Sequence, residues 1–157
     1  MCKQIENYIE ENLTGEARQT AMDFVSFLRS NELEFIKDNG YWKDKIYYML
    51  KYKAAYVCFI AINDPDEPEN LWTIWSDDSN AYEDSDVDDC IKSAAWNYVD
   101  HCGNCGSCSG GKRKIIFGKS FERVCGCTFR VDNAKASDLP FLEKMIDLRI
   151  KEIEKNI

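Results

Sequence analysis

Two runs of aromatic and branched residues, K-I-Y-Y-M-L-K-Y and A-Y-V-C-F-I-A-I, are separated only by Lys53 and Ala54. A connection that short cannot cross over a sheet, so the runs must pair as an antiparallel hairpin. Both registers of I-Y-Y-M are bulky. The sheet therefore carries large apolar groups on both faces, one for helices to cover and one to line a small-molecule pocket. L-E-F-I-K from Leu33 alternates, and L-W-T-I-W at Leu71 reads as a further strand. Between hairpin and strand, N-D-P-D-E-P-E-N holds two prolines and must be a loop. K-I-I-F from Lys114 and F-E-R-V-C-G-C-T-F-R-V from Phe121 add strand-like segments.

Helical periodicity frames these strands. Residues 3–12 place Ile5, Tyr8 and Ile9 on one face, and Leu13 closes the segment. Thr14 is positioned to cap a second helix whose core stripe is Ala17, Ala21, Phe24 and Leu28, with Asn31 as its stop. Residues 87–99 read as a helix with Val87, Ile91, Ala94, Ala95 and Tyr98 on one side. Acids crowd its N-terminus, where free backbone N–H groups favour negative charge. A last helix starts at Ser137 or Asp138 and buries Leu139, Leu142, Ile146, Ile150 and Ile153. The expected fold class is α+β, an antiparallel β-sheet flanked by amphipathic helices, as one domain over residues 1–157.

Charge narrows the function classes. Twenty-eight acidic residues face 20 basic ones, a net −8. Most of such a surface repels a phosphate backbone, so nucleic acid is not an expected partner, although Lys112, Arg113, Lys114 and Lys119 form a local basic patch. The opening M-C-K-Q-I-E-N-Y-I-E-E-N has no apolar signal-peptide core, and the longest apolar run, Ala54–Ile62, is too short to span a bilayer. The expectation is a cytoplasmic protein without a membrane partner. In that compartment eight cysteines are thiols or metal ligands ahead of disulfides.

H-C-G-N-C-G-S-C-S-G-G, from His101 to Gly111, spaces Cys102, Cys105 and Cys108 by two residues each. Gly103, Gly106, Gly110 and Gly111 argue against a continuous helix there. A glycine-rich turn lets backbone N–H groups point at thiolates and lets the thiolates converge, and zinc requires four such ligands in a tetrahedron. V-C-G-C-T downstream supplies the fourth. Residues two apart on a strand share a face, and Gly126 offers a bulge. Cys125 is taken as that ligand, leaving Cys127 in line with Phe129 and Val131 as a small core residue. Cys127 and His101 are the alternatives. The expected site is thus Cys102, Cys105, Cys108 and Cys125 around zinc, in a knuckle over residues 101–127. Cys2, Cys58 and Cys90 read as a tail thiol, a strand residue and a helix residue.

Other chemistries fit less well. The stretch D-D-S-N-A-Y-E-D-S-D-V-D-D fails the calcium-loop pattern for want of glycine at the sixth and glutamate at the twelfth positions. An iron–sulfur site usually continues C-x3-C-P, whereas S-G-G-K follows Cys108. Cys105 and Cys108 are nominally a redox pair but follow a helix instead of opening one. Four thiolates leave zinc no open position for water, so zinc hydrolysis is not expected.

The opening amphipathic helix, K-I-Y-Y-M-L-K-Y-K-A-A-Y-V-C-F-I-A-I and the closing T-F-R-V-D-N-A-K-A-S-D-L-P-F-L-E-K-M-I-D-L-R-I-K-E-I together resemble the YdhG-like group of bacterial domains of unknown function. The resemblance covers both ends, about half the chain. It implies an α+β fold with an antiparallel sheet, and it implies frataxin-like iron delivery for some members. The acidic stretch and the cysteine cluster depart from that pattern, so no site residue carries over. The reading is a zinc-binding module for a small ligand or a protein. A metal-handling protein and an iron–sulfur or thiol-redox protein are the alternatives.

Overall fold

The computed structural model describes residues 3–38, 45–102 and 110–157. In chain order its strands are β1 Glu34–Lys37, β2 Ile46–Tyr52, β3 Ala55–Ile62, β4 Trp72–Ser76, β5 Val99–His101, β6 Lys112–Ile116 and β7 Lys119–Asp132. Its helices are α1 Ile5–Asn12, α2 Gly15–Ser30, α3 Asp89–Asn97 and α4 Leu139–Lys155. Neighbouring strands run β1-β2-β3-β4-β7-β5, with β6 also on β7, and each of these pairs is antiparallel. The α+β class expected from the sequence is the fold observed.

The hairpin at Lys53 and Ala54 forms as expected. Both residues sit at positive φ, 48° and 70°. Left-handed conformations at both central positions match the right-handed twist of the flanking strands.

Strand register explains the two bulky faces. Tyr48, Ile60, Ile74 and Val131 lie opposite one another across β2, β3, β4 and β7. All four are buried in the core with Ile5 and Ile9 of α1, Phe24 and Leu28 of α2, and Leu142 and Ile146 of α4. The alternate register carries Met49, Phe59, Trp75 and Arg130 on the opposite face. There Tyr47 stacks on Phe59 at 6.3 Å and meets Trp75 edge-on at 6.2 Å. The Arg130 guanidinium lies 5.3 Å from the Trp75 ring centre. Burial of Tyr47 pushes its phenol up to about 12, with the nearby Asp38 carboxylate next in effect.

Three local expectations change. Thr14 is the N-cap of α2, but its side chain makes no cap hydrogen bond. The Arg18 guanidinium instead ties α2 to the end of α1 through the carbonyls of Glu10 and Leu13, each at 2.8 Å. The helix expected over 87–99 is shorter, because Asp88 caps it by accepting from the Ile91 N–H at 2.9 Å. Its other end stops at Asn97, since Val99 pairs with Phe129 in the sheet. A strand therefore separates this helix from the cysteine cluster. Among the described residues, no helix is long and apolar enough to cross a membrane.

Ile60 lies mid-line in the buried register, 1% exposed, so Ile60→Ala should lower unfolding free energy by about 3 kcal/mol in urea titration. A second test concerns acid. Arg29 grips Glu6 with two bonds of 2.5 and 2.8 Å, and that hydrogen bonding is the largest influence holding the Glu6 carboxyl below its ordinary 4.5. A carboxyl lowered in the folded state adds stability that is complete above 4.5 and is lost as pH falls through the folded value. Both partners are about one-third or more exposed, which limits the pair to about 1 kcal/mol at most. Arg29→Met should remove that increment at neutral pH and flatten the stability profile below pH 4.5.

Candidate metal centre

β7 is a long strand whose first half pairs with β6 and whose last residues pair with β4. β5 also pairs with it, at Val99↔Phe129 and His101↔Val124. Between those two pairs β5 advances two residues while β7 advances five. The segment between, residues 125–128, is three residues longer than its counterpart on β5 and leaves the regular ladder as an arch. Arg123 and Thr128 bracket the arch at φ 54° and 72°, left-handed values that re-aim a strand. The bulge expected at Gly126 falls inside this segment, and its positive φ angles fall on Arg123 and Thr128.

Side chains fasten the arch where the ladder cannot. The Lys114 ammonium donates to the carbonyls of Cys125 and Gly126 at 3.1 and 3.4 Å, and to the Thr128 hydroxyl at 2.7 Å. The Ser76 hydroxyl donates to the Cys127 carbonyl and accepts from the Phe129 N–H at 3.1 Å. Buried Thr128 in turn donates to Asp78 at 3.1 Å.

The arch sets Cys125 and Cys127 beside Asp100 of β5, with ligand atoms all within 4.8 Å of one another. All three side chains are half-buried. The Cys127 thiol donates to the Asp100 carboxylate at 3.4 Å. Burial pushes that thiol well above its ordinary value, and adjacent Cys125 and Asp100 add to the shift. Three groups that carry negative charge when deprotonated are thus pressed together, an arrangement that a cation relieves. Thiolate sulfur and carboxylate oxygen are both donor types found in protein metal sites.

The expected ligands distribute as follows. Cys125 is in this cluster. Cys102 is half-buried at the end of β5, its N–H donating to the Arg123 carbonyl at 2.8 Å. Cys105 and Cys108 lie outside the described residues, as does the middle of the knuckle. Cys127 was expected among the core residues with Phe129 and Val131. The turn at Thr128 resets the strand's alternation, so Thr128 and Phe129 are both buried while Cys127 faces the cluster with Cys125. His101 is exposed and its Nδ1 lies 3.2 Å from the Glu122 carbonyl; among the described residues it is not part of the cluster. Asp100 is the residue that sequence reasoning missed. The available signal was D-H-C, which places Asp100 two residues from Cys102 on one strand face. Cys58 is fully buried in β3 and Cys90 exposed in α3, the strand and helix positions expected of them.

Both ends of the cysteine loop are anchored next to the cluster. Val124 pairs with His101 before the loop and with Lys112 after it. Gly111 approaches so closely that an added Cβ would sit 2.9 Å from the Arg123 carbonyl carbon and 3.0 Å from the Cys102 Cβ, at φ +83°. Only glycine fits there.

Gly111→Ala should therefore spread the loop ends and lower the melting temperature, while Gly118→Ala, at a similar φ but with open space around it, costs less. Iodoacetamide at neutral pH should label exposed Cys90 before half-buried Cys127, and Cys58 only after unfolding, as read by mass spectrometry of the peptides. Comparison of the chain with protein-family models, with curated proteins and with solved structures finds no match.

Proposed function

We propose that this protein binds zinc at the junction of β5, β6 and β7, and that the metal builds a binding module instead of a catalytic centre. In this reading Cys125 supplies a thiolate from the arch, and Cys102, Cys105 and Cys108, spaced C-x2-C-x2-C in the sequence, supply the other three. Cys127 and Asp100 stand beside that position and complete the coordination wherever a loop cysteine does not. The observation that carries the reading is the convergence of Asp100, Cys125 and Cys127 within 4.8 Å, next to a loop whose two ends meet at Val124. That convergence requires a long strand to break its ladder. The small-ligand side of the reading draws on a cavity of about 330 Å³ behind the arch, lined by Asp78, Tyr82, Lys112, Lys114 and Thr128 among others.

The test is elemental analysis of freshly purified protein together with its absorption spectrum. One zinc per chain in a colourless protein is the expected result. Sulfur-to-iron bands in the visible range would move the assignment to an iron–sulfur centre, and exchangeable iron would move it to metal delivery. Cys125→Ser and Cys105→Ser should each lose most of the zinc and lower the melting temperature sharply. Full metal content in both variants would overturn the ligand set.

A further inference from the structure

We infer that Lys114 is a positioning residue for the metal centre: its ammonium replaces the missing sheet ladder and holds Cys125 and Cys127 in the geometry that receives the ion. The inference rests on the zinc reading above, and it adds a residue that coordinates nothing.

Lys114 is unusual for a lysine on an outer strand. Its side chain is only 9% exposed, whereas those of Lys112 and Arg113, its neighbours on β6, are 68% and 64% exposed. A buried ammonium needs partners for its three donors. Lys114 finds four acceptors: the carbonyls of Cys125 and Gly126, the Thr128 hydroxyl and the Asp78 carboxylate, the last at 3.1 Å. Three of the four belong to the arch. Register supplies the reason. Backbone pairs of β7 end at Val124 on one side of the arch and resume at Phe129 on the other. A carbonyl that leaves the ladder needs a donor from elsewhere. Ser76 takes the Cys127 carbonyl, and Lys114 takes those of Cys125 and Gly126.

A generic surface ion pair would not need this arrangement. Asp78 alone could neutralise Lys114 at the surface, where Asp78 is 44% exposed. Reaching past it into the carbonyls costs a lysine its hydration and much of its rotamer freedom. The return is a fixed arch. Two thiols two residues apart on an unfastened strand segment would sample many separations, and the ion would have to order them on binding. Fastened from behind, they are already together. Partners that orient ligands in this way typically change metal affinity by 10- to 100-fold when removed.

The experiment uses the full-length protein with Co²⁺ alone and Zn²⁺ alone as probes. Lys114→Met keeps the aliphatic stem and removes the ammonium; Lys114→Arg restores a buried cation with hydrogen-bond donors. Co²⁺ titration reads the thiolate charge-transfer band, and chelator competition reads affinity. In parallel, iodoacetamide reads the alkylation rates of Cys125 and Cys127 in the metal-free protein. The expected result is at least tenfold weaker Co²⁺ and Zn²⁺ binding in Lys114→Met, an altered Co²⁺ band, and faster alkylation of both cysteines. Lys114→Arg should recover part of each. A lysine that only stabilised the fold would lower the melting temperature yet leave the band and the affinity of the folded protein unchanged. That outcome overturns the inference. Wild-type protein that binds neither ion would overturn the zinc reading itself, and the alkylation rates would still decide whether Lys114 holds the arch. If Lys114→Met does not fold, Thr128→Val removes the shortest of the lysine's contacts, and unchanged affinity and alkylation there would count against the inference equally.

Discussion

The structure around the cysteines depends on one residue being paired twice. Val124 has no solvent exposure and lies opposite His101 on β5 and Lys112 on β6. That double pairing brings the start and end of the glycine-rich loop to the same point on β7. Closing a loop costs chain entropy. Here the sheet meets that cost through ordinary backbone hydrogen bonds, so a metal bound in the loop would need to supply less of it. The close approach of Gly111 to Arg123 and Cys102 follows from the same constraint.

The arch is the other consequence. Once Val124 and Phe129 are both fixed against β5, the residues between them exceed what a regular ladder can hold. They turn out together, and the two cysteines turn with them toward Asp100. Strands that break register often do so beside functional sites, because a bulge re-aims side chains that alternation would otherwise send to opposite or unwanted faces. Lys114 and Ser76 then accept the burden of the unpaired carbonyls. The cluster is therefore assembled from four strands: its donor atoms come from β5 and β7, and support comes from β4 and β6.

Most of the fold was legible in the sequence. The hairpin followed from two bulky runs and a two-residue connection, and the helical stripes of α1, α2 and α4 followed from periodicity. The errors have local physical causes. The helix over 87–99 was read too long, because Val87 and Tyr98 continue the apolar spacing while the Asp88 carboxylate and the pairing of Val99 decide where the helix stops. Cys127 was assigned to the core by strict alternation, and alternation fails across Thr128 because the chain there is left-handed. A threonine at positive φ gives no warning in sequence, whereas glycine at position 126 marks the irregular segment without marking its left-handed residues. Asp100 leaves only the weak signal of D-H-C, where it alternates along the strand with its neighbour His101. The strand sends the two to opposite sides, and the direction depends on a register set by residues more than twenty positions away. Lys114 was grouped with a basic patch, since composition cannot separate one buried ammonium from two solvated cations beside it.

The most direct measurement is X-ray absorption at the zinc edge on purified protein. The account predicts a first shell dominated by sulfur at about 2.3 Å, with room for one shorter oxygen contact near 2.0–2.2 Å. A first shell of oxygen and nitrogen alone, or protein that carries no zinc at all, would contradict it.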